Sequence, residues 1–146
     1  METLFSQQFS VEGGDFRNAG AASTQIKTIL KQIGIPGEVI RRVAIAAYEA
    51  EMNMVMYAKR GVMTLRIEPM KVEISVEDEG PGIEDIELAL QEGYSTASPE
   101  IREMGFGAGM GLPNIKKNSD EFSIASTVGK GTQLSILIRN SVVQSE

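Results

Sequence analysis

Val76-Glu-Asp-Glu-Gly-Pro-Gly-Ile83 is the stretch whose reading decides the fold. The residues leading into it alternate, with Val72, Ile74 and Val76 set against Lys71, Glu73, Ser75 and Glu77. That is the period of a strand with one buried face. Continuing the alternation puts Asp78 on the buried side, where a carboxylate is costly unless a donor meets it. Gly80 and Gly82 then bend the chain away around Pro81. Further on, Gly105-Phe-Gly-Ala-Gly-Met-Gly-Leu112 removes side chains from alternate positions just before a helical pattern begins. Bare backbone N–H groups at a helix start suit an anion such as phosphate. An inward-facing acid suits an exocyclic amine such as that of adenine. Together the two stretches describe a nucleotide site, and the other segments read as its walls.

Working outward, Thr3 to Val11 is predicted as a first strand with Leu4, Phe9 and Val11 as its apolar points, closed by Gly13-Gly14. Asp15 is expected to cap a helix that runs to about Ile33 and stops at Gly34. A second helix starts near Pro36, suited to a first helical position, and runs to Lys59-Arg60 with Gly61 as its stop. From Val43 to Ala58 it is apolar nearly all round, which implies burial on more than one side. Glu49, Glu51 and Asn53 interrupt that run. Glu49 and Asn53, four apart, share a face, whereas Glu51 points about 200° away from Glu49. Val62 to Glu68 is a strand with Met63, Leu65 and Ile67 inward, turning at Pro69-Met70 into the strand already described.

Beyond Gly82, Ile83 to Gln91 has a short helical pattern, and 93–104 is a polar connection. A helix opens at Leu112-Pro113, carries Ile115 and ends near Asp120. Phe122 to Val128 and Gly131 to Arg139 form a hairpin through Gly129-Lys130, with Thr132 on the same face as Leu134, Ile136 and Ile138. The residues from Asn140 onward read as a frayed tail. The expected fold class is α+β, a two-layer sandwich with helices on one face of a mixed, mostly antiparallel sheet. A single domain over 1–146 is expected, with no internal repeat or linker.

Composition narrows the chemistry. There are no cysteines, which removes disulfides, thiol catalysis and thiolate metal sites, and no histidines, which removes the commonest general base and any phospho-histidine within the chain. A net charge of −6, with the lysines and arginines scattered and small pairs such as Arg41-Arg42 and Lys116-Lys117, argues against nucleic acid as the main partner. No apolar run reaches membrane-spanning length and no signal-peptide pattern opens the chain, so a cytoplasmic location and no membrane are expected.

Each site candidate has a plainer reading. Glu49 and Asn53 can be polar residues where a helix surfaces, or a carboxylate base with an oxygen ligand for a hard cation such as Mg²⁺. Asp78 with Gly80 and Gly82 can be a strand ending in a turn. The glycines of 105–111 can be a flexible loop; no Lys-Ser/Thr follows them as in a Walker loop, and they do not sit in a dinucleotide-binding crossover. Gly129-Lys-Gly131-Thr132 alone is an ordinary hairpin turn.

As an ordered set these pieces are far more specific. Glu49-x-x-x-Asn53, Asp78-x-Gly80-x-Gly82, the Gly107-to-Gly111 box and Gly131-Thr132 resemble the N, G1, G2 and terminal Gly-Thr motifs of the GHKL (Bergerat-fold) ATP-binding superfamily. Within it the chain is similar to the small bacterial serine/threonine kinases and anti-sigma regulatory factors of the RsbT, RsbW and SpoIIAB kinds. The likeness to the RsbT kind is carried by Glu77-Asp-Glu-Gly-Pro-Gly-Ile-Glu-Asp-Ile86, Gly93-Tyr-Ser-Thr96, Gly107-Ala-Gly-Met-Gly-Leu-Pro113 and Asp120-Glu-Phe-Ser123.

The resemblance implies ATP (or ADP) with Mg²⁺. Asn53 would ligate the metal, Asp78 would hold the adenine amine, and Glu49 would be the catalytic base toward a serine or threonine hydroxyl. Gly80, Gly82, Ile83, Gly105, Gly107, Ala108, Gly109, Met110, Gly111 and Leu112 would line the nucleotide, with Thr132 supporting the adenine. The implied partner is a STAS-domain antagonist or a sigma factor, with homodimerisation left open. The chain departs from the pattern in two places. Asn53-Met-Val-Met-Tyr57 stands where the family often has Asn-Ala-x-x-His, and the arginine nearest the glycine box, Arg102, does not adjoin it. A non-catalytic nucleotide-binding module that controls a partner is the alternative. The catalytic half of a sensor histidine kinase is disfavoured, and larger machines of the superfamily are not expected at 146 residues.

Overall fold

The computed structural model describes residues 3–92 and 111–140. Five strands, β1 (Phe5–Glu12), β2 (Arg60–Glu68), β3 (Lys71–Glu79), β4 (Glu121–Thr127) and β5 (Gly131–Arg139), form one sheet in the order β1-β2-β3-β5-β4. All four pairings are antiparallel, so the sheet is antiparallel throughout rather than mixed. The alternating pattern does what period two demands. Phe9, Val11, Met63, Leu65, Ile67, Val72, Ile74, Val76, Leu134, Ile136 and Ile138 are buried on one face. Across the other face runs a register row of short polar side chains, Gln8, Thr64, Ser75, Ser135 and Ser123, one from each strand.

The helices α1 (Ala21–Ile33), α2 (Gly37–Tyr57), the single turn α3 (Ile86–Ala89) and α4 (Gly111–Lys117) complete the described elements. On α1, Ala22, Ile26 and Leu30 are buried at the expected spacing, and Gly34 ends the helix in the left-handed conformation. The near-continuous apolar character of α2 is explained by its place between α1, α4 and the sheet. Burying an Ile or Leu fully contributes about 1.5–3 kcal/mol relative to exposure. The wholly buried Ile26, Leu30, Leu65, Ile67, Ile74, Ile115, Ile136 and Ile138 are therefore among the larger favourable contributors to folding.

Several boundaries differ from expectation. Leu4 precedes β1 and is 55% exposed. Asp15 caps no helix; it accepts a hydrogen bond from Asn18 beside a short 3₁₀ turn at Phe16–Asn18, and α1 begins only after Gly20. Pro36 is the residue before α2 rather than its first member, and α2 stops at Tyr57. Gly61, expected as a helix stop, lies inside β2. The turn through Pro81 and Gly82 delays α3 to Ile86, where the Asp85 side chain accepts the Leu88 N–H. Asn140 is buried, and its N–H donates to the Met70 carbonyl, so the chain is anchored through that residue.

Two devices fix α2. At its C-terminal end the chain presses onto side-chain-free backbone. A Cβ on Gly13 would lie 1.6 Å from the Ala58 carbonyl oxygen, and one on Gly61 would lie 2.2 Å from the Met54 sulfur. Main-chain hydrogen bonds from Gly13 to Lys59, Gly14 to Val55 and Lys59 to Glu79 close the same joint. In mid-helix, Glu51 is only 2% exposed. Its carboxylate accepts the N–H groups of Gly20, Ala22 and Ser23 at 3.0, 3.2 and 2.9 Å, capping α1 from a neighbouring helix. The acceptors that α1 lacks at its own start are thus supplied from outside, and the positive end of α1 faces a carboxylate.

Glu51→Ala leaves the buried Ala22 and Ser23 N–H groups without acceptors. It is expected to lower the unfolding free energy by roughly 3 kcal/mol, and Glu51→Gln by about half of that, in urea denaturation.

Candidate functional site

The end of β3 is built around Asp78. Its partner in the register of β2 is Gly61, whose missing side chain leaves room for both Met54 of α2 and the Asp78 Cβ. Asp78 therefore faces the helix layer, as strand alternation predicts. The N–H of Thr132 donates to Oδ1 at 3.0 Å, and among the described residues Oδ2 carries no hydrogen bond. Gly131 makes this possible, since a Cβ there would stand 1.9 Å from the Asp78 carbonyl oxygen. Burial pushes the Asp78 carboxyl above its ordinary value of 3.8, and the Thr132 N–H opposes that rise only in part.

Gly80, Gly82 and Ile83 belong to the same corner. Gly80 N–H donates to Lys130 and Gly129 N–H donates to Pro81, stitching the bend to the β4–β5 hairpin. Gly82 has φ +78° and lies against the Thr127 carbonyl, a position only glycine fills without strain. Ile83 N–H donates to Ser126 Oγ at 2.7 Å. Ser126 also donates to the Gly131 carbonyl and lies 2.9 Å from Thr132 Oγ1. Sequence reading missed Ser126. The signal was there, because it continues the inward positions Phe122 and Ile124 with a hydroxyl, directly across from Thr132.

On α2, Glu49 and Asn53 are both half-buried. Asn53 lies beside the start of α4, and a Cβ on Gly111 would come within 3.0 Å of its Oδ1. Asn114, also missed in the sequence, donates its Nδ2 to Glu49 Oε2 at 3.2 Å. Leu112 is half-buried against the core, below which Pro113 and Ile115 are buried. Neither Glu49 nor Asn53 is ion-paired among the described residues. Gly105, Gly107, Ala108, Gly109 and Met110 lie outside the described residues, as do Arg102 and the connection 93–104.

The hairpin that carries Thr132 is itself tied to α2. Asp120 accepts the Arg139 N–H at 2.7 Å and pairs with Arg42 of α2 at 3.2 Å. Burial alone would raise its carboxyl, but the Arg139 N–H and the Arg42 guanidinium outweigh burial and hold it below the usual range.

Helices layered on one face of an antiparallel sheet, with the acid of β3 turned toward them, define a histidine kinase-like ATPase domain. The chain belongs to that family, whose pattern matches residues 15–138. It is 31% identical over 112 residues to the serine/threonine-protein kinase RsbT of Bacillus subtilis (strain 168), covering 74% of this chain and 78% of that protein. It is 36% identical over 121 residues to an anti-sigma F factor of Caldanaerobacter subterraneus subsp. tengcongensis, covering 80% and 81%. In fold it is similar to the mycobacterial sensor histidine kinase MprB, with a TM-score of 0.51 at 17% identity over 91% of this chain and 97% of that one. No helix among the described residues is long and apolar enough to cross a membrane.

Because Asp78 binds its proton more tightly folded than unfolded, the nucleotide-free protein loses stability as pH climbs from 3.8 through the raised folded value. Asp78→Asn removes that component. The stability of the variant relative to the native protein is expected to increase with pH over that interval and then level off, read by urea unfolding across the range. A difference independent of pH would show that burial does not perturb the carboxyl.

Proposed function

We propose that this protein is a serine/threonine kinase that transfers the γ-phosphoryl group of ATP to a small STAS-type antagonist in a bacterial partner-switching circuit. The observation that carries the reading is Glu49. It is a half-buried carboxylate on the same helix face as Asn53, oriented by a neutral amide and neutralised by no cation among the described residues. Such a group is free to take a proton.

Asp78 offers its open Oδ2 to the adenine amine, with Thr132 beside it. Gly80, Gly82, Ile83, Gly111 and Leu112 border the nucleotide, and Gly105, Gly107, Ala108, Gly109 and Met110 supply backbone N–H groups to the phosphates. The Asn53 carboxamide has no hydrogen-bond partner among the described residues, which fits an oxygen ligand for Mg²⁺. Bound there, the metal would neutralise phosphate charge. In the transfer itself the hydroxyl proton passes to Glu49, the new O–P bond forms as the bond to the β-phosphate oxygen breaks, and ADP leaves. Positioning and charge neutralisation do most of the work in such a reaction.

A second reading is a module that binds ATP or ADP and holds or releases a partner without catalysis. It is favoured by the relatives named anti-sigma F factors and by Met54-Val-Met-Tyr57 following Asn53. Incubation with labelled ATP and STAS-domain proteins separates the two, since a stable complex without phosphoprotein belongs to the second.

Glu49→Gln is expected to keep Mg·ATP binding in calorimetry and to lower phosphate transfer by about 10²- to 10⁴-fold. Equal transfer by both proteins would remove Glu49 from the mechanism.

A further inference from the structure

We propose that Asn114 is a positioning residue of the transfer reaction, one that fixes which oxygen of Glu49 takes the proton. The inference rests on the kinase reading. A carboxylate can only accept, so the amide nitrogen of Asn114 must face Glu49 Oε2, and the flipped amide would set two oxygens against each other. Oε1 has no hydrogen-bond partner among the described residues and is the oxygen left for the incoming hydroxyl.

The donor is held firmly. Pro113 and Ile115 on either side are buried, Ile115 completely, and they root α4 against α2. The Asn114 carbonyl accepts both the N–H of Asn118 at 3.2 Å and its side-chain amide at 2.9 Å. The two helices also meet in matched register. Gly111 lies against Asn53, and Asn114, three residues later, reaches Glu49, four residues earlier on α2. Residues three and four apart share a helix face, so one face of α4 serves both polar residues of α2 in antiparallel order. A neutral amide orients the carboxylate without placing a positive charge beside it, as a lysine or arginine would.

Single-turnover phosphate transfer from Mg·ATP to a STAS-domain substrate tests this, with thermal melts as a check on folding. Asn114→Ala is expected to lower the transfer rate about 10- to 100-fold with the KM for ATP unchanged within about twofold. Asn114→Ser, which keeps a donor on a shorter arm, is expected to retain more activity than the alanine variant. In a Glu49→Gln background Asn114→Ala is expected to cause no further loss, because the amide acts only through the carboxylate. A merely structural role would cost the same factor in both backgrounds. A native protein that transfers phosphate while Asn114→Ala matches it, or equal losses in both backgrounds, overturns this inference alone. A native protein that binds Mg·ATP and phosphorylates no serine or threonine overturns the kinase reading and this inference with it.

Discussion

The contact on which the rest depends is the one between the end of α2 and the backbone at Gly13 and Gly61. Two helix-end groups, the Ala58 carbonyl and the Met54 sulfur, occupy the space where side chains of β2 and of the turn after β1 would stand. A side chain at Gly13 would meet the Ala58 backbone and force the turn and the helix end apart, since interiors are close-packed, whereas one at Gly61 would displace the Met54 side chain and press on the Glu77 carbonyl. Gly61 is the register partner of Asp78, so this joint lies where the helix that carries Glu49 and Asn53 meets the strand that carries the half-buried acid. The site is therefore a by-product of how closely one helix can approach one sheet.

Around Asp78 the structure satisfies most of a costly group and leaves one part open. Thr132 supplies a backbone donor, Gly131 lets that donor come near, and Ser126 ties Ile83, Gly131 and Thr132 together with one hydroxyl. Burial nevertheless raises the carboxyl. Under the proposed reading, that residual cost is what the adenine amine would relieve on binding.

Much of this was legible in sequence. The period-two strands of 62–79 and 131–139 placed the core and put Asp78 inward, because strand alternation is set by backbone geometry alone. The spacing of Glu49 and Asn53 correctly placed them on one face of α2. Hidden from view were interactions between segments distant in the chain. Glu51 could be seen to diverge from Glu49, but not that it would cap α1, 28 to 31 residues away. The expected cap, Asp15, failed because Gly20 delays the helix and a tertiary acceptor takes the role. Asn114 and Ser126 carried no motif of their own; only the docking of α4 and the register of β4 on β5 give them partners. The end of α2 was overestimated because Gly61 suggests a helix stop, whereas it lies in β2 and its missing side chain makes room for the Met54 sulfur of α2 and the Asp78 Cβ.

The segment from Glu49 to Met54 thus answers to four neighbours within six residues: Asn114, the start of α1, Gly111 and Gly61. One residue inserted or deleted upstream of it within α2 would rotate every one of these groups by about 100° at once. Point substitutions in this helix can fail singly, but a change of length fails collectively. A change of length is thereby expected to be tolerated only in the connections, and the spacing inside α2 acts as a fixed dimension of the fold.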